Sequence, residues 1–470
     1  MVANGYVCAK VQVLLWSVLL GVVAVTTGCG SYSSSPMTAT TSAKSATQVR
    51  IGDAPSDRVV SFEISVGPVT MTTTGASAVT ALSSSRRIEL AHLSETNEPL
   101  ALLNVPQGSY GSMTLAVANP EVTFINNLGA TVELQPAFNQ SITINFSPAL
   151  NVGTGSSVIN IDLNLANSLT FDAQGNVTGV AITANSFAVS TSTVAPVQQQ
   201  HAEDGELEDT TGLVTGVSGS SFTMTVGQNG VSLTFTTDAN TQFSDGASLA
   251  TMLNTIVNVE GNTQPDGSLY AKEVEGIENN AGMEADGLIT RVSGNPATQL
   301  SVVAQDGSGS GMDATTVGTT LTVAVSGANY KVDQGNIDTS GIGGLPSSPN
   351  FPFDATTVHA GQRVEVESSS SMPNSTTVAD KVKLQQQTLT GTVSGLPATT
   401  SAGPIRFTLT VAPDSAFAML AGLSTITVYW QPGTDLHNVA NVSNGDTVRV
   451  RGLVFFTGSS FNMIARRIGR

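Results

Sequence analysis

The sequence predicts an all-β protein: an N-terminal antiparallel β-sandwich, immunoglobulin- or transthyretin-like, followed by three small β-barrel-like repeats. Three observations carry this prediction. From residue 48 onward apolar residues recur with a period of two, in short runs broken by Gly, Pro and Asn. Charged residues are only 11% of the 470, while Thr, Ser, Val and Gly dominate, which suits pleated strands and leaves little for the solvated face of long helices. Beyond residue 210 the chain echoes itself.

Residues 1–28 read as an export leader, with one cation, Lys10, before a short apolar run. At about 15 residues that run is shorter than the ~20 needed to cross a bilayer as a helix. Val22 to Gly30, VVAVTTGCG, resembles a bacterial lipobox. The resemblance implies cleavage before Cys29, acylation of its thiol, and a product held on the cell envelope by two or three acyl chains. Gly30 in place of Asp implies the outer membrane. Cys8 and Cys29 are the only cysteines, so the processed chain is expected to hold no disulfide. Residues 29–47 are Ser- and Thr-rich with few large apolar groups and are expected to be a flexible tether.

Residues 48–193 contain about nine alternating runs, the number a sandwich needs. AHLSETNEPLALLN (91–104) is expected to be a helical insert. Gly52-Asp53-Ala54-Pro55, Ile88-Glu89-Leu90, Val105 to Tyr110 (VPQGSY) and Ile161-Asp162-Leu163 occur in that order, and on them this stretch resembles the family known as domain of unknown function 4382. That family brings no activity with it. Tyr110 is expected to bury its ring with its hydroxyl at a sandwich corner. Asp53 with Asp57 is a weak candidate for a cation site, short of the six to eight oxygens calcium takes.

Residues 194–210 are expected to be an acidic linker, with Glu203, Asp204, Glu206, Glu208 and Asp209 as a solvated charge run. Three repeats follow at 211–280, 284–386 and 388–470. Each opens on a related segment, TGLVTGV (211–217), DGLITRV (286–292) and TGTVSG (390–395), and each later carries a Val-rich strand, TIVNVEG, AGQRVEVE and NGDTVRVRG. Five or six strands per unit predict closure into a barrel, because an open sheet would expose adhesive edges. Asp266-Gly267-Ser268-Leu269 with Ala271 makes these units similar to the domain of unknown function 5666.

The formal charge of −17 argues against a nucleic-acid partner. Only the last repeat is basic. Arg449, Arg451, Arg466, Arg467 and Arg470 are candidate polyanion contacts, for an acidic polysaccharide, a lipid headgroup or the chain's own acidic linker. Alternation of Arg449 and Arg451 with Val448 and Val450 predicts one exposed and one buried face. His92, His201, His359 and His437 fall in no metal-ligand spacing, and no nucleophile elbow or phosphate loop occurs. No cofactor is expected. The functional expectation is a non-catalytic, lipid-anchored envelope protein presenting binding or spacer modules, its contacts being the membrane through its lipid and an envelope polysaccharide or protein. The alternatives are a carbohydrate-active or peptide-processing envelope enzyme and a calcium-stabilised adhesion-like protein.

Overall fold

Alternation becomes burial along nearly every long strand. In Ser221–Val226, Phe222, Met224 and Val226 point inward and the residues between them are half-buried. The computed structural model describes residues 43–469 apart from 55–57, 94–95, 202–203, 227–229, 278–281, 310–315, 335–336, 338–350, 370–375, 398–404, 432 and 437–440. Strand dominates, and the described residues from 43 onward form one compact unit.

The sandwich has two main sheets. One orders Phe187–Thr193, Ser157–Asn164, Lys44–Ala54 and Glu98–Pro106, and its Lys44 and Ser157 strands run parallel, a departure from the all-antiparallel expectation. The other is built on Val59–Thr73 and Gly108–Ile125, flanked by Ala78–Leu82, Arg86–Glu89, Thr131–Leu134 and Asn139–Val152. Phe62, Ile64, Met113, Leu115, Ile159 and Ile161 are among the residues packed between them.

Two expectations are corrected here. Residues 44–47, expected as the end of the tether, are strand: they pair with the Glu98–Pro106 strand. Ser45 and Thr47 are buried there, their hydroxyls bonded to Ser157 Oγ (3.1 Å) and Ser45 O (3.0 Å). The helical insert is one 3-10 turn, Ala91–Leu93, and then a strand from Glu98. Glu89 organises that turn: its carboxylate accepts from the backbone N–H groups of Phe62 (2.7 Å), Ala91 (3.0 Å) and His92 (3.0 Å), and from His92 Nδ1 (2.6 Å). Tyr110 is fully buried and its O–H donates to Pro106 O at 2.7 Å, the corner its sequence context predicts.

The three repeats share one topology. Their strands are, in the first, Glu206–Ser218, Ser221–Val226, Ser232–Thr236, Gln242–Ser244, Ile256–Thr263 and Leu269–Gly276. In the second they are Met283–Gly294, Ala297–Gly309, Thr320–Ala324, Asn329–Val332, Arg363–Ser368 and a last strand split into Thr377–Val378 and Lys381–Leu384. In the third they are Gln386–Ser394, Ile405–Val411, Thr425–Trp430, Asp435–Leu436, Thr447–Phe456 and Phe461–Gly469. In each the order is third, second, first, fifth, sixth, fourth, and the third strand also pairs in parallel with the last, through Phe235 with Leu269, Val323 with Thr377 and Ile426 with Phe461.

The repeated glycine of the opening motif is a packing requirement. A Cβ at Gly212 or Gly391 would stand 2.6 Å from the carbonyl oxygen of Thr225 or Thr410 on the neighbouring strand, and one at Gly287 would press closer still on Val303. A side chain there would push apart the first two strands of the barrel. The third repeat also holds the one α-helix among the described residues, Ala416–Ala421, which composition did not suggest. Its local signals are nonetheless clear: Ser415 Oγ accepts from Ala418 N (3.2 Å), and Gly422 closes the helix at φ +69°.

Candidate functional site

Pairing in the second repeat sets Arg363-Val364-Glu365-Val366-Glu367 beside Lys381-Val382-Lys383-Leu384, with Glu365 opposite Lys383 and Glu367 opposite Lys381. The valines enter the barrel core. By the alternation rule the charged face belongs in water. It is instead buried, with Glu367, Lys381 and Lys383 each less than 5% exposed. What covers it is the other repeats.

Lys383 Nζ lies 2.5 Å from Glu275 of the first repeat and 3.8 Å from Glu365, while Lys381 Nζ lies 2.5 Å from Glu367 and 3.4 Å from Asp245. Between the first and third repeats Arg467, 1% exposed, sits with Nε 2.9 Å from Asp435 and Nη2 3.1 Å from Glu208 and 3.5 Å from Glu206. Arg466 and Arg451 lie 3.7 and 3.9 Å from Glu208. His201 Nδ1 reaches Asp435 at 3.1 Å.

The sandwich joins the same assembly. Arg50 is fully buried and its Nη1 donates to Glu206 O (2.6 Å), Thr123 Oγ1 donates to Gly318 O (2.6 Å), and Gln305 Nε2 donates to Val60 O (2.5 Å). Arg58 Nε donates to Asp414 O at 3.0 Å.

Burial sets the protonation of these groups. It pushes Glu260 and Glu275 up to about 7 and Glu365 to about 8. For Glu208 burial acts upward too, but Arg467, Arg451 and Arg466 outweigh it and hold the carboxyl below its ordinary value. For Lys383 burial acts downward and is outweighed by Glu365, Asp333 and Glu275, which raise it. Glu208 and its arginines thus hold one another charged, whereas Glu260, Glu275 and Glu365 take up a proton near neutral pH. A chamber of about 30 Å³ remains between the repeats, lined by Glu208, Glu260, Glu275, Asp333 and Arg466 among others. No group of three or more His, Cys, Asp or Glu is arranged to hold a metal among the described residues.

A second space opens where the sandwich, second and third repeats meet. It measures about 110 Å³, and its lining includes the apolar Val60, Leu288, Leu389 and Phe417 and the polar His92, Gln305, Arg363 and Arg451.

Arg451, Arg466 and Arg467 are therefore brought together, and their anionic partner within the chain is the segment expected to be a linker. Glu206 and Glu208 lie in the first strand of the first repeat, not in a solvated hinge. The expectation of an exposed arginine face is corrected on the same ground: Arg451 is buried against Glu208, and Arg449, one strand period away, is half-buried. Cys29, Asp57 and Arg470 lie outside the described residues, as does the side chain of Asp53. His92 was legible only as an isolated histidine. The signal that finds it is Glu89 three residues earlier, at the spacing of one turn.

This arrangement defines a class: a multi-module all-β protein whose modules are joined by buried ion pairs. Residues 44–181 match the family model described as domain of unknown function DUF4382, and residues 211–275 match domain of unknown function DUF5666. The first thus spans most of the sandwich and the second most of the first repeat, whose topology the other two repeats share. A search of the curated proteins finds no match to the chain.

Proposed function

We propose that this protein is an exported, lipid-anchored component of a bacterial envelope that holds a rigid, non-catalytic β body at the membrane surface. The observation that carries the reading is the set of charged seams between modules. A string of beads on flexible joints would leave those strand faces in water; here each charged face meets a complementary one. Ionisable groups at the seams engage one another across module boundaries. Rigidity suits a spacer or presenter, which works by fixing the distance and orientation of its surface. The lipobox-like VVAVTTGCG supplies the anchor, and diacyl attachment is strong enough for stable membrane residence where one chain is not.

Two measurements test this. Replacing Cys29 by Ser is expected to move the protein from the membrane to the soluble fraction and to remove the acyl mass from the product; unchanged fractionation and mass would overturn the anchor. Small-angle scattering of the purified chain without its lipid is expected to give a radius of gyration for the ordered body near the ~22 Å of a compact unit of about 430 residues. A string-like profile with separated modules would overturn the rigid body.

A further inference from the structure

The cavity shared by the sandwich and the second and third repeats has a composition that the seams do not explain. Its apolar wall comes from three modules: Val60, Leu288, and Leu389 with Phe417. Its ionisable lining is all of one kind. His92, Arg363 and Arg451 reach it, and among the described residues that line it there is no carboxylate.

The carboxylates that balance these groups lie off its wall. Glu89 holds His92 at 2.6 Å, Asp286 holds Arg363 at 2.5 Å, and Glu208 stands 3.9 Å from Arg451. The cavity lining therefore combines cationic side chains, each paired behind the wall, with apolar ones. Gln305 adds a third feature: it is only 7% exposed, its amide nitrogen is committed to Val60 O, and its Oε1 accepts no hydrogen bond. An acceptor left bare in the interior costs about 1–3 kcal/mol, so such a group is ordinarily met by water or by a ligand's donor.

We propose that this cavity binds a small aliphatic hydroxycarboxylate: a carboxylate toward His92, Arg363 and Arg451, an aliphatic body against Val60, Leu389 and Phe417, and a hydroxyl donating to Gln305. Size fits this class. A dry cavity of about 150 Å³ takes benzene, so 110 Å³ encloses about four or five heavy atoms, with the rest in the mouth. A sugar ring or a long acyl chain is too large. Because three modules build the wall, the ligand binds only the assembled body and stabilises it. The inference stands apart from the lipid anchor and survives if Cys29 proves unprocessed.

The test uses the purified full-length protein and four probes: 2-hydroxybutyrate, butyrate, 1,2-butanediol and acetate. Thermal melts and titration calorimetry are expected to show saturable binding of 2-hydroxybutyrate, about tenfold tighter than butyrate, which leaves Gln305 bare, with no effect from the uncharged diol. Ala91→Leu, at a half-buried lining position, fills the space and is expected to abolish binding while leaving the circular dichroism unchanged. Gln305→Met is expected to equalise 2-hydroxybutyrate and butyrate. The proposal is overturned if the diol acts as well as the acid, if Ala91→Leu binds like the parent, or if no probe binds and the cavity holds water only.

Discussion

Arg467→Met is the sharpest probe of how the modules hold together. Methionine keeps much of the stem's volume and removes the guanidinium, so it leaves Glu206, Glu208 and Asp435 facing one another where a cation had been 2.9–3.5 Å away. Removing one partner of a buried pair typically costs 3–5 kcal/mol, far more than the pair contributes relative to an apolar replacement. A loss within that range is expected, because three carboxylates lose a shared cation that is itself 1% exposed, while Lys272 stays near Glu206, Arg466 and Arg451 near Glu208, and His201 near Asp435. Trp430 is the readout. It is half-buried in the third repeat, and Trp16, the other tryptophan, lies in the segment proposed as an export leader. Urea unfolding followed by its fluorescence is therefore expected to show an early transition in the variant, with the third repeat separating before the rest. Adding Asp435→Asn should restore part of the loss by removing a carboxylate whose remaining neighbour among these groups is His201. A single-variant loss below about 1 kcal/mol, the range of a solvated surface pair, would refute the argument that this seam is dry.

Protonation gives a second expectation. Glu260, Glu275 and Glu365 are raised to about 7, 7 and 8, above the unfolded value near 4.3, so between these limits the folded state binds more protons. Their contribution to stability is full below about pH 4.3 and is lost as pH rises through 7 to 8; urea midpoints are expected to be higher at pH 6 than at pH 8.5. Glu208, held down by arginines, acts the other way and loses its contribution only as pH falls below the ordinary carboxylate range. A midpoint that rises from pH 6 to 8.5 would refute the first assignment. In the barrels, Gly391→Ala must push neighbouring strands apart and is expected to cost about 1–3 kcal/mol in the urea transition, whereas Gly458→Ala, with open space around it but φ +83°, should cost about 1 kcal/mol. Tyr110→Phe should cost about 1 kcal/mol in the sandwich, the worth of its bond to Pro106 O.

Much of the fold was legible because strand periodicity is local. Val364, Val366, Val382 and Leu384 are inward in the barrel as alternation requires, and the echo of TGLVTGV in DGLITRV and TGTVSG marked three units with one topology. The differences arise in two short polar stretches whose composition suggests no strand, Ser45 and Thr47 expected as tether and Glu206 and Glu208 as linker, and in the Leu-rich segment after Glu98, expected as helix. Each of these is a strand whose hydrogen-bond partners lie far along the chain. Ser415 and Gly422 show the opposite case, a local capping signal present in the sequence but masked by the β pattern around it.

By itself the sequence determined which residues alternate, where the strands turn, and that arginines gather in the last repeat while acids gather before the first. Only the tertiary structure decided that those two groups meet, that a polar strand face is an interior face, and that three modules enclose a cavity with one sign of charge on its wall. The physical reason is range. Side-chain alternation is dictated by backbone geometry over a few residues, whereas the partner that covers a charged face is chosen by docking between distant elements, as Glu206 and Arg467, 261 residues apart, are.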